Sequence, residues 1–265
     1  MTYFGFLLRF LVIPIIIIIL VIYFMDEKNK RNISVFKNGR LFWIAIGIHI
    51  LLALVYTTPW DNYLVATGVW YYNPQLVTGI VLGYVPIEEY TFFVLETLLA
   101  GLWWCFLARR QNPQEENFVP SKKIRFGSFA TLFVLWVIFT SLFFAGPPSL
   151  TYLSIIFFWA LPAIAPQLFF GADILWRHRK LVALTILPMT LYLSVVDSLA
   201  ITASTWTIAP GHSTGIFLSG VLPIEEAIFF LVTITLVTFG MTLFLAEETQ
   251  VRMQEWFPKL KTKSQ

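Results

Sequence analysis

The sequence predicts an all-α membrane protein with seven transmembrane helices arranged as 3+1+3. Two parallel three-helix repeats flank a single helix, with the N-terminus outside and the C-terminus inside. Three observations predict this. The 265 residues are 58% hydrophobic and only 12% charged, and the mean hydropathy is +0.75, which leaves too little polar surface for a soluble domain and enough length for about seven spans. Of the 18 Lys and Arg, all but Arg9 fall in alternate connections or near the C-terminus, the asymmetry of cytoplasmic loops. Finally, Asp61 and Asp197 lie 136 residues apart, as do Trp70 and Trp206, Thr78 and Thr214, and Gly79 and Gly215, while Pro86 and Pro223 lie 137 apart. Four helices separate equivalents, so the two copies point the same way, a known membrane layout.

Taken in order, helix 1 covers Tyr3 to Met25, too long for a signal peptide and without a basic segment before it. A basic loop with Lys28, Lys30, Arg31, Lys37 and Arg40 leads to helix 2, from Leu41 to about Thr58, which Pro59-Trp60-Asp61 should end. The connection that follows has Trp60, Trp70, Tyr71 and Tyr72 but no Lys or Arg, as expected of an outer interface. Gln75 to Tyr84 reads as a short or re-entrant piece, and helix 3 starts at Pro86 and runs to Arg109-Arg110. A linker with Lys122, Lys123 and Arg125 precedes helix 4, Phe126 to Ala145. Helix 5, Leu150 to about Phe170, should kink at Pro162 and Pro166. Helix 6 covers Leu181 to about Ala200, helix 7 begins near Pro223, and a basic tail with Lys259, Lys261 and Lys263 follows. These elements group into a first repeat (1–110), a linker with helix 4 (111–149), a second repeat (150–248) and a cytoplasmic tail (249–265).

The composition also excludes functions. The net charge of +3 is carried by membrane-flanking loops, so no nucleic-acid partner is expected. A single cysteine, Cys105, supports neither a disulfide framework nor a thiolate metal site, and no metal is expected. Arg9 inside helix 1 reads as a snorkelling side chain or as the partner of a buried carboxylate.

The chemistry should reside in Pro86-Ile87-Glu88-Glu89 and its copy Pro223-Ile224-Glu225-Glu226. Carboxylates within apolar runs lose their hydration, which marks Glu88, Glu89, Glu225 and Glu226 as catalytic candidates. Adjacent residues in a helix point about 100° apart, so one member of each pair should line a cavity while its neighbour supports it. Phe92-Phe93 and Phe229-Phe230 follow each pair, placing π-faces near the acids. A neutral acid there could protonate an alkene, the rings could hold the cation, and a carboxylate could remove a proton. Plainer readings stand beside these. The glutamates could be solvated helix starts, Asp61 and Asp197 turn caps, Trp70 and Trp206 interfacial anchors, and the Phe pairs core or lipid-facing packing. Glu96 is a weaker candidate because Thr233 replaces it in the second copy. His49 reads as a satisfied intramembrane histidine and His212 as a loop residue.

Pro59-Trp60-Asp61-Asn62-Tyr63-Leu64, Trp70-Tyr71-Tyr72, Gly83 to Tyr90, Ser213 to Phe217 and Leu222 to Glu226 resemble the integral-membrane carotenoid cyclases: the heterodimeric bacterial, fused archaeal and fungal bifunctional lycopene cyclases. The resemblance covers essentially the whole chain, without a phytoene synthase domain. It implies redox-neutral cyclisation of the ψ ends of lycopene to β rings, through γ-carotene to β-carotene, in the membrane. It implies Glu88 or Glu225 as proton donor and a second carboxylate as base. Asp61, Asn62, Asp197, Trp70, Trp206, Phe92, Phe93, Phe229 and Phe230 would contact substrate. The partners implied are lipophilic lycopene, membrane lipid and other carotenoid-biosynthesis enzymes; no cofactor is expected, and there is no GxGxxG fingerprint. A related monocyclase or hydratase, or a proton-coupled transporter, are the alternatives. A glutamate-dependent protease of the EExxxR type would need Arg at Phe93 and Phe230, and a retinal-binding rhodopsin would need a lysine between Ser213 and Ala246, where there is none.

Overall fold

A computed structural model describes residues 1–29, 39–111 and 118–256. Seven helices among them are long and apolar enough to cross a membrane. Of the basic residues expected to set topology, Lys30, Arg31, Lys37, Lys259, Lys261 and Lys263 lie outside the described residues.

Helix α1 (residues 3–29) begins under Thr2, whose hydroxyl accepts the Gly5 N–H, and contains a π-helical turn at Leu8–Val12. Helix α2 (Gly39–Ala66) runs two turns beyond its expected end, with Pro59 inside it. Proline removes one amide bond, but a membrane helix tolerates this where neighbouring groups satisfy the freed backbone. Asp61 is therefore a helical residue rather than a turn cap. Helix α3 (Ile87–Ala108) is capped by extended Pro86, and helix α4 (Lys122–Ala145) starts at Ser121, whose hydroxyl accepts the Ile124 N–H. Helix α5 (Thr151–Arg177) holds Pro162 and Pro166, yet its non-helical residue is Gly171, at φ −152° and ψ 34°. Helices α6 (Arg179–Thr202) and α7 (Ile224–Leu245) complete the set.

Gln75 to Tyr84, expected as a short or re-entrant piece, contains no helix. Two-residue strands β2 (Val81–Leu82) and β3 (Val85–Pro86) pair in a hairpin there, and β5 (Phe217–Leu218) pairs with β6 (Leu222–Pro223) at the corresponding place. Between these hairpins, β1 (Trp70–Tyr72) pairs antiparallel with β4 (Trp206–Ile208), with Tyr72 opposite Trp206. This pair ties the two long connections together over one end of the bundle. Helices α3 and α7 are the inner members: they pack on each other and are reached by α2, α5 and α6, whereas α4 packs mainly on α5 and its apolar window has no buried residue.

The tail contains an element the sequence does not announce. Helix α8 (Glu247–Trp256) folds back on α5 and α7 and buries Arg252. The break at Gly171 leaves the Phe170 carbonyl free for Arg252 Nη1 (2.5 Å), while Arg252 Nη2 meets Asp173 Oδ2 at 2.8 Å. Asp173 also accepts the Ser121 N–H, so α4, α5 and α8 join at one buried acid. Arg9, by contrast, is exposed and reaches Met1 Sδ, which fits snorkelling.

Arg252→Ala should destabilise the fold by roughly 3 kcal/mol, the low end for breaking a buried pair, because Arg125 stays within 4.0 Å of Asp173; thermal unfolding in detergent measures this. Glu248 is half-buried, which opposes its ionisation, but the bond from His178 and the charges of His178 and Arg177 outweigh this and hold it below the ordinary 4.5. A lowered acid stabilises the fold above its unfolded value and loses that contribution as pH falls through the folded one. The melting temperature should therefore decline below pH 4.5, and Glu248→Gln should remove part of that decline.

Candidate active site

The four candidate glutamates are all buried, and each pair divides its work as the angular argument requires. Glu88 Oε1 accepts the Thr78 N–H at 2.6 Å, and Glu225 Oε1 accepts the Thr214 N–H at 2.6 Å. Each threonine precedes a glycine with positive φ, Gly79 at 79° and Gly215 at 74°, which turns the loop back onto the helix. The loops close with Ile87 N–H to Ile80 O and Ile224 N–H to Ile216 O, both 2.9 Å. The sequence places the proton donor on Glu88 or Glu225; the structure commits one oxygen of each to a loop amide.

Glu89 and Glu226 face inward instead. Glu89 Oε2 accepts the Tyr3 hydroxyl at 2.5 Å and the Tyr72 hydroxyl at 3.1 Å. Glu226 Oε1 accepts the Tyr152 hydroxyl at 2.7 Å. Asp197 Oδ1 accepts the Trp206 indole N–H at 2.9 Å. These three acids line one chamber of about 20 Å³, room for about one water, together with Phe92, Phe229 and Phe230. Tyr72 lies in the connection, where burial, and then the Glu89 carboxyl, hold its phenol well above its ordinary value. It is therefore a lasting hydrogen donor.

The other candidates separate by position. Trp70 and Trp206 line the chamber too, and are more than interfacial anchors. Trp206 packs on Tyr3 at 4.8 Å and Phe6 at 5.0 Å; Trp70 packs on Tyr152 at 5.7 Å. Phe93 lies in a neighbouring cavity. Asp61 is fully buried beside the chamber, and neither of its oxygens finds a protein donor among the described residues. Asn62, expected to touch substrate, does not line the chamber: its amide donates to Thr58 O and Tyr90 Oη, and its oxygen accepts the Tyr84 N–H at 2.7 Å. It fills the space beside Gly83, where an added Cβ would meet its oxygen at 2.2 Å. Glu96 Oε1 accepts Thr233 Oγ1 at 2.7 Å, so the residue and its replacement at the matching position touch directly. His49 Nδ1 contacts Ala45 O at 2.7 Å, the satisfied histidine expected.

Sequence reasoning missed the tyrosines that hold the inward acids. Tyr3 and Tyr152 start α1 and α5 and serve Glu89 and Glu226 alike. Comparing the starts of those two helices, whose spacing differs from 136, could have found them.

A buried chamber in which carboxyl groups face aromatic rings can give a proton to an apolar unsaturated chain, steady a cation and take a proton back. Fold and site together describe a membrane protein of seven apolar helices with an internal acid–base chamber. Lycopene beta-cyclase of Halobacterium salinarum (strain R1) is 41% identical over 206 residues, 76% of this chain and 81% of the relative. The bifunctional lycopene cyclase/phytoene synthase of Podospora anserina is 35% identical over 218 residues, 77% of this chain and 36% of the relative. That of Gibberella fujikuroi is 34% identical over 229 residues, 83% and 38% of the two chains. The chain thus spans little more than a third of these fungal proteins. It belongs to the lycopene beta-cyclase family. No family model and no solved structure matches it.

The division within each pair predicts local exchange behaviour. Glu88→Ala should speed amide hydrogen exchange at 78–80 and leave 214–216 unchanged, and Glu225→Ala should do the reverse. Glu89→Ala and Glu226→Ala should speed neither loop, as read by exchange mass spectrometry.

Proposed function

We infer that this chain cyclises lycopene, closing its ψ end groups to β rings through γ-carotene to β-carotene without net oxidation or reduction. The observation that carries the reading is the single chamber where Glu89, Glu226 and Asp197 meet Phe92, Phe229 and Phe230, in a chain 41% identical to a named lycopene beta-cyclase. Protonation near the polyene terminus makes a cation, the neighbouring double bond attacks it to close the ring, and loss of a ring proton sets the β double bond. Glu226, with one phenol donor, is the acid of this proposal. Glu89, with two, is the base that accepts the proton. One chamber implies one active site. The proton leaves one glutamate and returns to the other, so resetting needs only a transfer between them, and the chemistry calls for no cofactor.

The architecture we propose is the 3+1+3 arrangement of parallel repeats in a multi-pass membrane protein, of the cell membrane in a bacterial or archaeal source. The chamber lies at the outer end, the N-terminus outside and the C-terminus inside, with lipid as solvent and other carotenoid-biosynthesis enzymes as partners. Matching loop anchors at Glu88 and Glu225, and matching tyrosines at Tyr3 and Tyr152, support the repeat. The distribution of Lys and Arg supports the orientation.

Expression in a host that accumulates lycopene, followed by pigment chromatography, tests the reading. The wild type should yield β-carotene. Glu89→Gln and Glu226→Gln should each lower cyclisation by about 10² to 10⁴-fold at equal protein level, the size of a general acid–base contribution. Tyr3→Phe and Tyr152→Phe should lower it roughly tenfold, as for one hydrogen bond to a charged group. Unchanged lycopene with wild type would favour a transporter, a hydroxylated pigment a hydratase, and a one-ringed pigment a monocyclase.

A further inference from the structure

Beside the chamber lies a second cavity of about 240 Å³, reached by Ala53 from α2, Ala163 from α5 and Phe229 from α7. Phe229 lines the chamber as well, so its ring partitions the two spaces. The cavity is smaller than the roughly 300 to 1,000 Å³ that encloses a drug-sized ligand, so it suits one end of a long polyene with the rest left outside. At about 20 Å³ the chamber itself admits no end group until the partition moves.

The lipid-side wall of this cavity is a two-way clasp between α2 and α5. Tyr56 Oη donates to the Trp159 carbonyl at 2.9 Å, and Trp159 Nε1 donates to the Tyr56 carbonyl at 3.0 Å. Their rings stack at 5.5 Å and 27°. Tyr56 is 40% exposed and the adjoining Leu52 55% exposed, on a face apolar enough to meet lipid. Elsewhere α2 packs mainly on α3 and α7, so this clasp is a principal bond across the α2–α5 seam. Inward from it, Trp159 packs on Trp60 at 5.1 Å, and Trp60 on Phe229 at 5.7 Å. An unbroken row of rings joins clasp to partition.

The geometry points to a lateral portal: a polyene end enters from the bilayer where Tyr56 and Trp159 part, fills the 240 Å³ cavity and displaces Phe229 to reach Glu89 and Glu226. A long hydrocarbon dissolved in lipid has no reason to cross water to reach its site, and this seam opens onto lipid. Trp60 links the two movements, because shifting Trp159 removes its support and hence that of Phe229. The inference rests on the proposed cyclisation.

The full-length protein in lipid vesicles, carrying Cys105→Ser and Ala163→Cys, tests the portal through labelling by a membrane-soluble maleimide with and without lycopene. Lycopene should slow labelling at 163 at least several-fold and leave a Leu191→Cys control unchanged; equal labelling with and without lycopene overturns the portal. Pigment chromatography of wild type alongside decides the reaction separately: cyclisation without protection sinks the portal alone, and protection without cyclisation sinks the reaction alone. Tyr56→Phe, which keeps the ring and drops one bond of the clasp, should raise kcat/KM at limiting lycopene about fivefold, the scale of one hydrogen bond. A fall in both kcat and kcat/KM would instead assign Tyr56 to packing.

Discussion

A carboxyl group inside an apolar bundle has no water to bond, so a protein donor must be built for it. That requirement shapes the whole end of the molecule that carries the N-terminus. Glu88 and Glu225 draw down the Thr78 and Thr214 amides and so fold both loops onto the helices. Glu89 and Glu226 fix the starts of α1 and α5 through Tyr3 and Tyr152. Asp197 holds Trp206, and Trp206 lies in the strand paired with β1. Helix starts, loops and strand pair each end on an acid. A hydrogen bond contributes about 1 kcal/mol, so the acids that line the chamber and those that anchor its loops together close the roof above it.

Much of this was legible because hydrophobic length and doubled motifs are local signals. The seven apolar stretches, the two Pro-Ile-Glu-Glu starts and the expectation that one member of each pair faces inward follow from period and spacing alone; which member does so is set by the loop amides of Thr78 and Thr214. Pro59 misled because the rule that proline ends a helix assumes its freed carbonyl must find water, whereas a packed membrane helix satisfies it from neighbours. Asn62 lies outside the chamber lining despite its place beside Asp61: one residue along the helix turns a side chain by about 100°, and its oxygen meets the Tyr84 amide of the hairpin instead. The tyrosines were hidden because their partners lie 86 and 74 residues away, a separation no periodicity encodes. The tail helix was hidden for a related reason. Arg252 reads as one more basic residue until the break at Gly171 offers it a carbonyl and Asp173.

Where the two halves differ is as informative as where they match. Glu89 has Tyr72 as a second donor, while the residue at the corresponding position, Ile208, has no hydroxyl to offer Glu226. Trp206 supplies a donor to one oxygen of Asp197, whereas the indole nitrogen of Trp70 and both oxygens of Asp61 find no protein partner among the described residues. Two identical half-sites would give two acids of equal strength and no preferred direction for a proton. Unequal hydrogen bonding separates them, which is what pairing an acid with a base requires on the proposed reading.

A single chamber has a consequence for a substrate with two reactive ends. On the proposed reading, Glu89 and Glu226 serve the same end group, so the second ring can form only after the first has left and the chain has reversed. The 240 Å³ cavity is too small to turn a long polyene inside the protein, and reversal therefore takes place in the bilayer. One-ringed product must then exist as a free species between visits, and its yield depends on whether the seam between α2 and α5 readmits a chain already closed at one end. Selection between one ring and two is thereby a matter of access and retention rather than of the acid–base groups themselves.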